Sequence, residues 1–490
     1  MHTEPVNLMS GWVVLFAGVL ALCALIGTST LLRPAGHLSP NREGARTSFI
    51  RILRRQVTAF IALCITTSLM CTTFALLANR TMSFLRTPSE VVELVKNALG
   101  AGDTRVSAFA PPRQGEQDQH VDPPELAYDA QLHVWRGTLS GAQSGLTREV
   151  AVWAPPGYAP VGAIPTASQS DSADTPIPLS RAIVLYHGYV GTAIGTVQSL
   201  ELTERIAPLV ERGEIPPTLL IFPDLSMGGA EPDCVDVDGH PKTETFVVTD
   251  LVPAIRAAFP SIPYDPDHWA VGGFSSGAYC APVIHVRHRD VFGTAVAMGG
   301  YDTPELGALK NADQATRDAF TISHLLAQPH DVPLRVLAMG VYADRDAMTF
   351  GTALQKLART QPNDTFVSVM KSEGAHGWTT WREDLPSALK WWSGREVQSD
   401  APTAPPWWQI TQTVPLIGSF SAWGIAMATS LMRVRMRMRT GRVRRAVTDF
   451  FLAALTCILG ALVALLLVNN SEVFFYSWDD LWTNFLSFLH

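Results

Sequence analysis

The sequence predicts an α/β domain, a mostly parallel sheet with helices on both faces, flanked by two pairs of membrane-spanning helices. Three observations carry that prediction. Four apolar stretches, about 9–32, 57–79, 409–432 and 447–468, each exceed or match the ~20 residues that a bilayer core requires. Short continuous apolar runs alternate with helical segments from residue 181 onward, the pattern of strands covered on both faces. Of the 490 residues, 47% are hydrophobic and only 17% charged, against roughly a quarter charged in ordinary soluble domains.

The first three stretches contain no charged residue, and Arg clusters flank them, which argues against helices buried in a globular core. The first lacks a basic leader and is followed by Arg33 rather than a small-residue cleavage site, so it reads as an anchor and not a signal peptide. Residues 33–56 carry net +5 and residues 433–446 net +7, with seven Arg and no acid. Arg-rich short loops face the cytoplasm. Both ends and the large central segment are therefore expected outside the cytoplasm, and neither terminal tail contains Lys or Arg. The chain's net charge of −7, less these loops, the tails and Asp449, leaves −14 on the central segment. An acidic exported domain is a poor match for nucleic acid.

This divides the chain into four parts. Residues 1–80 hold two spans and a basic loop, and 81–125 a membrane-proximal helix and linker. Residues 126–400 form the α/β domain, and 401–490 hold two further spans, a second basic loop and a short outer tail. T-P-S-E at 87–90 is a helix-start signature. Residues 159–180, rich in Ser, Ala, Pro and Asp, read as a surface insertion. Strands are expected at 144–153, 181–186, 218–223, 268–273, 293–298 and 334–339, with helices such as 244–258 and 351–359 between them.

The chemistry is concentrated in G-F-S-S-G at 273–277, directly after an expected strand. Small residues around a strand-to-helix turn present the middle serine, so Ser275 is the expected nucleophile. A serine needs a base, and the base needs a carboxylate to orient it. His376, in G-A-H-G-W after the F-V-S-V-M strand, is the expected base. The acid should follow strand 334–339, where Asp344 and Asp346 both lie; Asp346 is preferred, with Asp344 as the alternative. His285 and His288 read as surface or packing residues. Backbone N–H groups of Ser276 and Tyr189 are the candidates for an oxyanion hole. Cys234 and Cys280 are the two cysteines of the exported segment, and they form either a disulfide or two separate buried thiols. The run D-C-V-D-V-D-G at 233–239 does not have the spacing of a calcium loop and reads as a solvated loop. Neither a metal nor any other cofactor is expected.

With P-P-G-Y (155–158), H-G (187–188), G-F-S-S-G-A (273–278) and G-A-H-G-W-T-T-W (374–381) in place, residues 126–395 resemble a family of α/β-hydrolases. It is the family of esterase D-type enzymes, feruloyl esterases and the mycolyltransferases of mycolate-bearing bacteria. Ala375 stands where that family has a second Gly. The resemblance implies an α/β-hydrolase fold and a Ser-His-Asp reaction on a carboxylic ester through an acyl-enzyme. It also implies that Trp378 and Trp381 pack around the histidine loop. The membrane spans lie outside it. Together the readings predict a membrane-anchored serine ester hydrolase acting on a lipid or envelope ester, such as an acyl or aminoacyl lipid. An acyltransferase using the same serine is the alternative, and an inactive membrane scaffold a third.

Overall fold

A computed structural model describes residues 8, 10–32, 45–82, 88, 91–92, 123–162, 178–189, 191–226, 233–403, 408–433 and 442–487. Residues 33–44, 434–441, the helix start at 87–90 except Pro88, most of the 100–125 linker, positions 163–177 of the insertion and 404–406 lie outside these. The chain divides into two compact units, Met1–Met82 with Ala404–His490, and Ser83–Thr403.

In the first unit, α1 (Gly11–Leu31) and α2 (Ala45–Met82) precede the α/β unit in the chain. The second unit is built on one nine-stranded sheet. Its strands are β1 (Ala127–Asp129), β2 (Val134–Ser140), β3 (Thr147–Trp153), β4 (Arg181–Tyr186), β5 (Thr218–Pro223), β6 (Trp269–Phe274), β7 (Thr294–Met298), β8 (Arg335–Val341) and β9 (Thr365–Lys371). Strand order is β1-β2-β3-β5-β4-β6-β7-β8-β9. The three N-terminal strands pair antiparallel and the remaining six parallel. The expected strands fall within two residues of the observed ones, apart from the start of β3. β1 and β2 were not among them, because the first has three residues and the second mixes Arg136, Gly137 and Thr138 into its alternation.

The apolar runs work in period two on both faces. On β4, Ala182, Val184 and Tyr186 join one core layer while Ile183 and Leu185 join the other. On β5, Leu219 and Ile221 face one layer, Leu220 and Phe222 the opposite one. A parallel strand buried on both sides has no polar face to give away its register in the sequence. The helices that cover the sheet include α3 (Ala193–Leu200), α4 (Ser276–Arg287), α5 (Gly307–Lys310), α6 (Arg345–Thr360) and α7 (Trp378–Trp392).

The first unit is completed by α8 (Thr413–Arg433), α9 (Arg442–Glu472) and α10 (Trp478–Ser487). Among the described residues, four of its helices are long and apolar enough to cross a membrane: Gly11–Leu31, Ile50–Leu77, Thr413–Arg433 and Ala446–Asn470. They pack as a bundle, with α9 against α1, α2 and α8. Polar contacts tie them sideways: Thr28 to Thr66 at 2.9 Å, Ser430 to Thr456 at 2.9 Å, and Gln56 Nε2 to the Leu431 carbonyl at 3.2 Å. Arg433 Nε donates to Asp449 Oδ1 at 2.7 Å, and Asp449 is fully buried. The tail expected after the last span forms α10, whose Trp478 Nε1 donates to the Trp408 carbonyl at 2.9 Å.

Candidate active site

The turn between β6 and α4 is tight enough to dictate its own sequence. A Cβ on Gly273 would lie 2.2 Å from the Gly277 carbonyl oxygen, and one on Gly277 would lie 2.4 Å from that of Tyr186. Both positions therefore admit only glycine. Between them Ser275 adopts φ 54° and ψ −116°, a backbone conformation that costs about 1–3 kcal/mol in a non-glycine residue. That strained turn lifts the Ser275 side chain off the C-terminal edge of the sheet, as expected of a nucleophile elbow.

His376 arrives from the loop between β9 and α7. Its Nε2 lies 2.8 Å from Ser275 Oγ, and its Nδ1 lies 2.7 Å from Asp344 Oδ2. A carboxylate only accepts, so Nδ1 carries the proton and Nε2 is left to accept from the serine hydroxyl. The loop is held by local bonds. Thr380 Oγ1 accepts the Ala375 N–H at 2.9 Å and donates to the Ala375 carbonyl at 2.7 Å. The Trp381 ring meets His376 edge-on at 5.2 Å, and Trp378 and Trp381 both pack on Phe274 of β6.

The carboxylate that meets His376 is that of Asp344, the alternative, and not that of the preferred Asp346. Asp344 is the N-cap of α6, and its Oδ1 accepts the N–H groups of Asp346 and Ala347, each at 3.1 Å. That leaves Oδ2 aimed at the imidazole. Asp346 lies one residue into the helix and is exposed to solvent. The A-D-R-D pattern offered two carboxylates; the helix start decides between them, because a capping side chain must turn back over the end of β8.

Ser276 is the first residue of α4, so its N–H has no intrahelical acceptor. A Cβ on Gly188 would sit 3.1 Å from the Ser275 Cβ, which runs the loop after β4 directly alongside the serine. Tyr189 follows in that loop. His187 fixes it from below: its Nε2 accepts the Leu225 N–H at 2.9 Å while Nδ1 lies 3.0 Å from the Gly188 carbonyl. Burial holds the His187 imidazole below its ordinary pKa, against the pull of Asp224 and the Gly188 bond. The neutral ring ties the loops after β4 and β5 together.

Cys234 and Cys280 are disulfide-bonded, with Cα atoms 5.2 Å apart. The bond joins the 233–239 run to α4, five residues past Ser275. That run is not the solvated loop expected. Cys234, Val235 and Val237 are buried, and Asp233 accepts the Ala308 and Leu309 N–H groups at 2.9 Å. Asp236 accepts the Thr245 N–H at 3.1 Å, and Asp238 is exposed. Glu244, for its part, is buried against Arg287 and His288. Among the described residues no group of three His, Cys, Asp or Glu is placed to hold a metal ion.

One carboxylate escaped the sequence reading. Asp384 lies in α7 on the stripe of Trp381, Leu385, Ala388 and Trp392, and its side chain is 1% exposed against Lys371. A charge on the apolar face of a helix was the signal for it.

With this geometry in place, residues 180–392 match the family model described as "Putative esterase". Over this segment the α/β domain is similar to that esterase family. The match accords with the α/β-hydrolase fold of the sheet and its elbow. An uncharacterized protein of Corynebacterium glutamicum is 24% identical over 177 residues, which are 33% of this chain and 40% of that relative. The chain thus matches less than half the length of this curated relative. Among solved structures, a ferulic acid esterase is 18% identical, covering 53% of this chain and 97% of that one at a TM-score of 0.42. An S-formylglutathione hydrolase from Agrobacterium tumefaciens is 14% identical, covering 56% and 99% at a TM-score of 0.41.

Proposed function

We propose that the protein is a membrane-anchored, extracytoplasmic serine ester hydrolase acting through Ser275, His376 and Asp344. The observation that carries this reading is the continuous chain Ser275 Oγ–His376 Nε2 at 2.8 Å and His376 Nδ1–Asp344 Oδ2 at 2.7 Å, on a strained elbow. Ser275 Oγ attacks the ester carbonyl as its proton passes to His376 Nε2. The N–H groups of Ser276 and Tyr189 receive the oxyanion, and the positive end of α4 supports the same charge. Asp344 stabilises the imidazolium and does not itself take the proton. The alcohol leaves with the proton from Nε2, and water, deprotonated by the same nitrogen, releases the acid from Ser275.

Anchoring rests on the four apolar helices, and orientation on the basic segments 33–56 and 433–446. Anchors at both ends of a hydrolase domain favour a substrate that lives in the envelope, a lipid ester or an envelope ester, over a freely diffusing metabolite. The test is hydrolysis of lipid esters by the purified full-length protein in detergent, with glycerol or a sugar offered as competing acceptor. Free acid as the product, lost in Ser275→Ala, supports hydrolysis. An acyl-sugar or acyl-glycerol product would assign the enzyme to acyl transfer instead.

A further inference from the structure

We infer that the buried Lys371–Asp384 pair is a positioning device that fixes His376 over Ser275. The inference rests on the proposed role of those two residues. Lys371 is the last residue of β9 and Asp384 lies two turns into α7, so the pair closes the base of the loop 372–377 that carries His376. Lys371 Nζ lies 2.9 Å from Asp384 Oδ1 and 3.2 Å from Glu383 Oε2. Glu383 is 65% exposed and adds little. Asp384 is 1% exposed, and neither of its oxygens has a well-aligned hydrogen bond, so Lys371 is its one ion partner among the described residues.

The same lysine touches the acid side of the site. Its backbone carbonyl accepts the Tyr342 N–H at 3.0 Å, two residues before Asp344. Beyond the loop, α7 meets the histidine through Thr380 and Trp381. A shift of α7 against β9 would therefore carry His376 away from both Ser275 and Asp344. Nothing in this corner calls for a charge on stability grounds. Asp384 shares its helix face with the buried Trp381, Leu385 and Ala388, where an apolar side chain would serve the fold at least as well. Burial raises the Asp384 carboxyl to about 6 even though Lys371 opposes the rise. Lys371 and Glu383 are the charged groups that face it.

The experiment compares ester turnover by the full-length protein in detergent for wild type, Lys371→Met, Lys371→Arg, Asp384→Asn and Ser275→Ala. Misplacing a catalytic group by about 1 Å costs up to ~100-fold. Lys371→Met and Asp384→Asn should lower kcat about tenfold or more with KM within about twofold, and Lys371→Arg should restore most of it. The ratio of wild type to Asp384→Asn should shrink toward one below about pH 6, where wild-type Asp384 gains a proton. Should Asp384→Asn fail to fold, the two Lys371 variants decide. Equal kcat in Lys371→Met and wild type, or a loss that does not change with pH, would overturn the inference. Turnover that persists in Ser275→Ala would instead overturn the role of the serine on which it rests.

Discussion

Asp344 serves two structures with its two oxygens: Oδ2 holds His376 Nδ1 at 2.7 Å, and Oδ1 caps α6 through the N–H groups of Asp346 and Ala347. The start of a helix and the orientation of the base are thereby one event.

This separates two substitutions that look alike in sequence. Asp344→Asn retains a capping oxygen, so stability should change by less than the ~1 kcal/mol of a lost cap. Turnover should nevertheless fall on the order of 1,000- to 10,000-fold, as expected when the orienting carboxylate is replaced. Asp346→Asn, at an exposed position, should leave kcat within about twofold. Steady-state kinetics on both variants, with thermal unfolding alongside, makes the comparison.

The disulfide closes a segment of 46 residues by sequence separation. Loop-closure entropy for that length assigns it about 4 kcal/mol. Cys280→Ser should lower the denaturation midpoint of the α/β unit accordingly, and a reductant should lower wild type to the same value. Equal midpoints for oxidised wild type and the variant would show that packing of the 233–239 run alone holds it.

Two buried groups oppose each other in their response to pH. His285 lies 2.8 Å from the Phe292 carbonyl through Nδ1 and accepts the Arg335 N–H at Nε2 at 3.3 Å. Burial lowers its pKa from 6.5 to about 4. The unfolded chain therefore takes up this proton first, and stability falls by about 3 kcal/mol as pH drops from 6.5 to 4. Asp384, raised from 3.8 to about 6 mainly by burial, keeps its proton longer in the folded chain. Its effect is a loss of about 3 kcal/mol as pH rises from about 4 to 6. For these two groups wild type should be nearly flat across the window, whereas Asp384→Asn should lose stability steeply on acidification. Urea midpoints at pH 4, 5, 6 and 7 read the difference.

In the helical unit, the Arg433–Asp449 contact is an ion pair between α8 and α9. Asp449→Leu leaves Arg433, 12% exposed, without that partner, at a cost of about 3–5 kcal/mol in a buried setting. Arg433→Met combined with Asp449→Leu should recover much of the loss. Thermal unfolding of the full-length protein in detergent tests the pair.

Much of the α/β unit could be read because its signals are local. Continuous apolar runs placed β4 to β9, and G-F-S-S-G fixed the elbow because only glycine fits positions 273 and 277. Long apolar stretches likewise placed four helices. What could not be read depended on distance. The choice between Asp344 and Asp346 turned on which residue begins α6, a boundary set by the end of β8. The 233–239 run looked like a solvated acidic loop, yet its Asp233 meets a helix start more than 70 residues away in sequence. Asp384 was visible only as a charge on an apolar stripe, and Lys371, its partner across the histidine loop, carries no motif at all.

The most direct test of the proposed site is labelling of intact cells with a membrane-impermeant fluorophosphonate, comparing wild type with Ser275→Ala, with a permeant probe in lysate as control. The expected result is labelling of intact wild-type cells that vanishes in Ser275→Ala, which requires an activated Ser275 outside the cytoplasm. Labelling confined to lysate would contradict the orientation, and labelling absent from a folded wild-type protein in both preparations would contradict the catalytic assignment.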